Sequence, residues 1–191
     1  MTILPHHIAG IFLLGGLTVG SYFTVNALTP PSLESKLKNL NLELVSTEWG
    51  EKAQEYKKDG NNNLIPSIDK SKQEREIATL LEGWCKKKKD KYFLGNTDIS
   101  YRNFSVWCTV TKTIKNVLVG RRLKELDPEG WTQKFTAYSA DTNTDKFITP
   151  NKGVTEEKLK DWCRDTQANT NYTYEGDETL NKILSWCYAN S

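Results

Sequence analysis

Apolar positions in this chain follow two unlike patterns. The first is a continuous run over 8–25, reading IAGIFLLGGLTVGSYFTV, and the first charged side chain after it is Glu34. The second is a helical stripe set in a polar background. Trp-Cys occurs at Trp84-Cys85, Trp107-Cys108, Trp162-Cys163 and Trp186-Cys187, and an apolar residue stands three before each Trp: Leu81, Phe104, Leu159 and Ile183. Positions i, i+3 and i+4 share one face of an α-helix. The dipeptides use every cysteine and four of the six tryptophans. Those tryptophans, Trp84, Trp107, Trp162 and Trp186, are therefore expected to fill the core beside their cysteines.

Start signals place the helices. Asp127-Pro128-Glu129 supplies a cap, a proline suited to the first turn and an acidic start. Thr155-Glu156-Glu157 opens another helix, and Asp177-Glu178 opens the last. The clearest helix of the first part covers 72–88, with Ile77, Leu80, Leu81, Trp84 and Cys85 inward. Stretches rich in Asn, Gly, Thr and Asp at 59–63, 95–98, 141–145 and 169–177 separate the helices. No run alternates with the period of a strand, although Phe104-Ser-Val-Trp-Cys-Thr-Val-Thr would suit strand as well as helix.

The order Leu-rich segment, Trp, Trp-Cys, Trp-Cys is used twice. Leu37 and Leu40 precede Trp49 as Leu123 and Leu126 precede Trp131, and the two cysteine pairs have nearly equal spacing. This predicts an internal duplication in which Trp84 superposes on Trp162 and Trp107 on Trp186. Two copies are too few for a solenoid. The expected fold is mainly α: an N-terminal transmembrane helix, then two pseudo-repeated helical units stapled by disulfides. The expected divisions are 1–31 as membrane anchor (or signal peptide) and Pro-rich break, 32–110 as first repeat and 111–191 as second.

About 18 residues rise ~27 Å as a helix, close to the hydrocarbon thickness of a bilayer. A buried core helix is the plain alternative, set against an N-terminal position and a strongly polar remainder. An uncleaved signal-anchor is the expectation, with the body outside. A signal peptide cleaved at Val25-Asn26-Ala27 is the other reading, but the Lys/Arg-rich start of such a peptide is missing. Gly16 and Gly20 form a small-residue pair that can bring two membrane helices together.

The cysteines admit three readings: disulfides Cys85–Cys108 and Cys163–Cys187, a metal site, or buried thiols. Even number, paired spacing and a membrane-directed N-terminus favour disulfides. Each would close a loop of about 25 residues and stabilise by roughly 3 kcal/mol. A metal site lacks any Cys-x-x-Cys and any histidine in the body, since His6 and His7 are the only two. Their position also removes Ser/His and Cys/His catalysis from the body. Glu74, Glu76, Glu156 and Glu157 are candidate carboxylates for glycan chemistry, on helix starts where solvation is the default. No catalytic, cofactor-binding or metal residue is assigned.

A net charge of +2 with both signs interspersed argues against nucleic acid as a partner. The lysine run 86–89 follows Cys85 at an expected helix end, where the dipole favours cations; contact with lipid headgroups is the sharper alternative. Asn103-Phe-Ser and Asn171-Tyr-Thr match the glycosylation pattern.

Leu81-Glu-Gly-Trp84-Cys85 and Phe104-Ser-Val-Trp107-Cys108-Thr109-Val110, with the hydrophobic N-terminus and polar body, resemble a paralogous family from haemotropic mycoplasmas. The resemblance implies a membrane or surface protein, an antigen in contact with the host. It transfers no catalytic residues. The bilayer is the partner expected from the N-terminal helix, with a host surface or protein ligand beside it. An extracytoplasmic carboxylate enzyme acting on glycans and a structural envelope component are the alternatives.

Overall fold

Cap chemistry sets most helix starts, and the computed structural model of the protein describes residues 29–61, 63–140, 146–148 and 153–189. Among these lie eight helices: α1 (Leu33–Lys38), α2 (Trp49–Lys57), α3 (Glu74–Lys88), α4 (Ile99–Trp107), α5 (Ile114–Leu118), α6 (Pro128–Ser139), α7 (Glu156–Asn169) and α8 (Glu178–Cys187). Ser32, Asp98, Thr113, Asp127, Thr155 and Asp177 each accept a backbone N–H in the first turn that follows. The run 8–25, Gly16, Gly20, His6 and His7 lie outside the described residues. Among the described residues no helix is long and apolar enough to cross a membrane, and β-structure is confined to isolated bridges.

The stretch around Phe104 is helix. Asp98 caps it, and Tyr101, Phe104 and Trp107 are all buried. Helical spacing sends these three rings inward together, which outweighs the strand preference of Val and Thr. α3 begins at Glu74 rather than 72, because Gln73 is still extended.

Matching hydrogen bonds recur along the chain. Leu33 N donates to Lys91 O at 2.8 Å, and Ile114 N to Thr170 O at 2.9 Å. Phe93 N donates to Pro31 O as Tyr172 N does to Lys112 O, both at 2.8 Å. Val110 N donates to Glu43 O at 2.8 Å, and Ala189 N to Lys124 O at 3.0 Å. In each case a connecting segment pairs with the residue after a Trp-Cys helix. Disulfides Cys85–Cys108 and Cys163–Cys187 join α3 to the end of α4 and α7 to α8, each with Cα atoms 5.6 Å apart.

All four cysteines fall in one central apolar cluster, with Leu33, Leu37 and Phe104 from the first stretch and Ile114, Leu118 and Ile183 from the second. Residues 32–110 and 111–191 thus share a core, for which the sequence pattern gave no sign, and Pro31–Ser191 is one compact unit. Two smaller clusters flank it. One holds Tyr56, Ile65, Ile68, Ile77, Leu81 and Trp107. The other holds Tyr138, Ile148 and Leu159, with Phe147 and Trp186 half-buried against it.

This arrangement explains the dipeptide and corrects the single inward face expected for it. Neighbours on a helix point about 100° apart. The cysteines turn to the central cluster, Trp107 and Trp186 turn to the flanks, and Trp84 and Trp162 bridge central and flanking clusters. Trp107 is 2% exposed, while Trp84, Trp162 and Trp186 are half-buried.

Candidate functional site

α2 and α6 share a pattern that the sequence reading passed over, Trp-x-x-Lys-x-x-x-Tyr: Trp49, Lys52, Tyr56 and Trp131, Lys134, Tyr138. Its spacing keeps all three residues within reach of one helix face over two turns. The Tyr56 hydroxyl accepts from Ile65 N at 2.9 Å and lies 3.1 and 3.0 Å from the Ile65 and Ile68 carbonyls. Its ring meets Trp107 edge-on at 4.9 Å. The Tyr138 hydroxyl accepts from Ile148 N at 2.9 Å, and its ring meets Trp186 edge-on at 5.4 Å. Both tyrosines tie a loop onto a Trp-Cys helix.

The lysines serve the ends of those same helices. Lys52 Nζ donates to Val106 O at 3.0 Å and to Thr111 Oγ1 at 3.1 Å. Lys134 Nζ donates to Ser185 O, the matching carbonyl of α8. Carbonyls in the last turn lack a helical partner, and a cation there also meets the dipole. Burial pushes Lys52 down to about 8, with Glu55 and Glu48 pulling the other way. Lys134 is lowered for the same reason. An amine poised near neutrality is the kind used as base or Schiff-base former. Here the ammonium of Lys52 is committed to α4 at the wall of a cavity of about 340 Å³, with Asn61, Asn63, Thr109 and Asn171 around it.

Two further cavities sit at the disulfides in matching places. One of about 300 Å³ is lined by Cys85, Cys108, Trp49, Glu82, Lys86 and Lys89. The other, about 410 Å³, is lined by Cys163, Cys187, Trp131, Lys160, Arg164 and Tyr188, with Arg121 at its edge. Three cations of the second are already engaged. Arg121 meets Glu175 at 3.2 Å, Lys160 meets Glu156 at 2.7 Å, and Arg164 meets Asp161 and Asp165 at 2.8 and 2.9 Å.

The candidate carboxylates are not brought together as a catalytic pair. Glu76 bonds Lys72, and Glu156 bonds Lys160 while accepting from Thr132 at 3.1 Å. The Lys160 bond holds the Glu156 carboxyl below its usual range, the opposite of what a general acid needs. Glu74 and Glu157 face solvent in first turns. Among the described residues no group of His, Cys, Asp and Glu converges as a metal site. Asn103 is 2% exposed inside α4, which closes it to glycosylation as folded, whereas Asn171 is exposed. No protein-family model, curated protein or solved structure matches the chain.

Proposed function

We propose that this chain is a membrane-anchored, extracytoplasmic surface protein that works by binding or antigenic display, built from a duplicated four-helix unit. One observation carries the reading: a small body stapled by two disulfides follows an uncharged apolar run. Disulfides persist in oxidising compartments, and such a run is the usual means of delivery there. The recurring hydrogen bonds and the Trp-x-x-Lys-x-x-x-Tyr pattern support the duplication. The resemblance to surface proteins of haemotropic mycoplasmas supports host contact.

Protease treatment of intact cells tests the orientation. The body should be digested from outside, and non-reducing peptide maps of surface material should recover both cystine peptides. The native N-terminus should precede residue 8, for a retained anchor. A body protected in intact cells, with four free thiols, would overturn the reading. A native chain beginning near Leu28 would make the protein secreted instead.

A further inference from the structure

We infer that the face formed by the lysine run and the segment after it docks on an anionic lipid surface beside the point where the chain leaves the bilayer. Lys91, Tyr92 and Phe93 pair with Pro31, Ser32 and Leu33, through Leu33 N to Lys91 O and Phe93 N to Pro31 O, both at 2.8 Å. Residue 31 stands six positions after the end of the apolar run. An extended link of that length spans ~20 Å at most. The inference rests on the anchor proposed above.

Side chains alternate along this extended segment. Phe93 turns inward, edge-on to Tyr101 at 4.8 Å and under Lys36 at 4.9 Å. Its neighbours turn outward, Tyr92 at 59% and Leu94 at 75% exposure, and Ile99 is 59% exposed at the first turn of α4. The corresponding segment after α7 behaves differently. There Tyr172 takes the inward place of Phe93, while exposed Asn171 and half-buried Thr173 stand where Tyr92 and Leu94 do. Of these two segments, the one nearer the apolar run in sequence presents apolar side chains to solvent.

Charge completes the face. Lys86, Lys87, Lys88, Lys89 and Lys91 crowd the end of α3, with Asp90 as the acid among them. Glu82 takes Lys86 at 2.6 Å, and Lys88 lies over the Trp84 ring. Lys87 and Lys91, on either side of the end of α3 in sequence, are exposed. A helix dipole accounts for cations in the last turn but not for exposed Tyr92 and Leu94. Cations flanking an aromatic and aliphatic edge suit a headgroup layer, where phosphates meet the lysines and the rings sit at the interface.

The test uses full-length chain reconstituted in vesicles of phosphatidylcholine alone or mixed with phosphatidylglycerol. Amine labelling read by mass spectrometry reports each lysine, with Lys58 and Lys124 as references. Labelling of Lys87 and Lys91 should slow about fivefold in the anionic vesicles, the factor matching one lysine's attraction to such a surface. High salt should restore it. Leu94→Ser should weaken the protection without changing the references. Equal labelling in both vesicles, in a chain that resists alkaline carbonate extraction, overturns the docking and leaves the anchor standing. Protection that persists in a chain released by carbonate supports the docking and removes the anchor. Protection equal in neutral vesicles and in detergent, growing with protein concentration, assigns the face to a second copy and overturns the lipid reading.

Discussion

Tyr56 and Tyr138 hold matching places on α2 and α6, and their surroundings differ. Around Tyr56 the loop after α2 folds back, Ile65 and Ile68 join the cluster, and Trp107 is sealed with Nε1 donating to Asn63 O at 2.6 Å. Around Tyr138 the buried set among the described residues is smaller, and Trp186 is half-buried at the wall of a cavity of about 320 Å³. Similar drift marks the disulfide cavities. Glu82 in the first half faces the role of Lys160 in the second, and Lys86 that of Arg164. The helix-end lysine, loop-tying tyrosine, apolar position before Trp-Cys and cysteine stay the same. Residues that satisfy buried backbone groups or fill the shared core are fixed by packing. Those facing the cavities are free to diverge.

The sharpest way to break this comparison is at the two tryptophans. Trp107→Ala should cost about 3–5 kcal/mol, as for a sealed aromatic ring that leaves a cavity. Trp186→Ala should cost roughly 1–2 kcal/mol, since that side chain is already partly exposed. Equal losses in urea melts would show that the two flanking clusters are equivalent after all.

Opening the bridges should rank next. Replacing either cysteine pair by alanine should lower stability by about 3 kcal/mol. Hydrogen exchange should then separate the halves. With both bridges reduced, α6–α8 should lose protection before α2–α4, because Trp186 is half-buried where Trp107 is sealed. Simultaneous loss would mean that the central cluster alone sets the cooperativity.

The tyrosine hydroxyls offer a finer test. Tyr56→Phe leaves Ile65 N and the Ile68 carbonyl without the hydroxyl partner in a sealed site, while the Ile65 carbonyl keeps Ile68 N, and should cost about 2 kcal/mol. Tyr138→Phe should cost about 1 kcal/mol in the same assay. A larger loss at Tyr138 would reverse the order of the halves.

Lys52 gives the smallest and most specific effect. Its folded pKa of about 8 lies below the ordinary 10.5. Between those values the unfolded chain keeps a proton that the folded chain has released. Its contribution to stability therefore rises with pH across that window, by at most about 1.4 kcal/mol per pH unit. Below the folded value the full cost of a buried ammonium is present. The stability difference between the parent chain and Lys52→Met should shift toward the parent from pH 8 to 9.5, and the same cycle at Lys134 should shift less. A flat difference at Lys52 would place its ammonium in contact with water.

What the sequence determined by itself is local or periodic. Asp127-Pro128, Thr155 and Asp177 announce their helices because capping is a matter of a few adjacent residues. The i, i+3, i+4 stripes announce buried faces, and nearly equal spacing predicts the pairing of Cys85 with Cys108 and Cys163 with Cys187, since two short-linked helices fold back on one another. Tertiary structure decided the rest. It split Trp107-Cys108 and Trp186-Cys187 between a central and a flanking cluster, which a one-dimensional pattern reads as a single face. It merged the halves around the cysteines, made a helix of a stretch whose Val and Thr suit a strand, and gave Lys52 and Lys134 to helix ends far off in the chain. Those outcomes depend on which distant groups remain unpaired once the core closes, and a buried carbonyl without a donor costs too much to be left so.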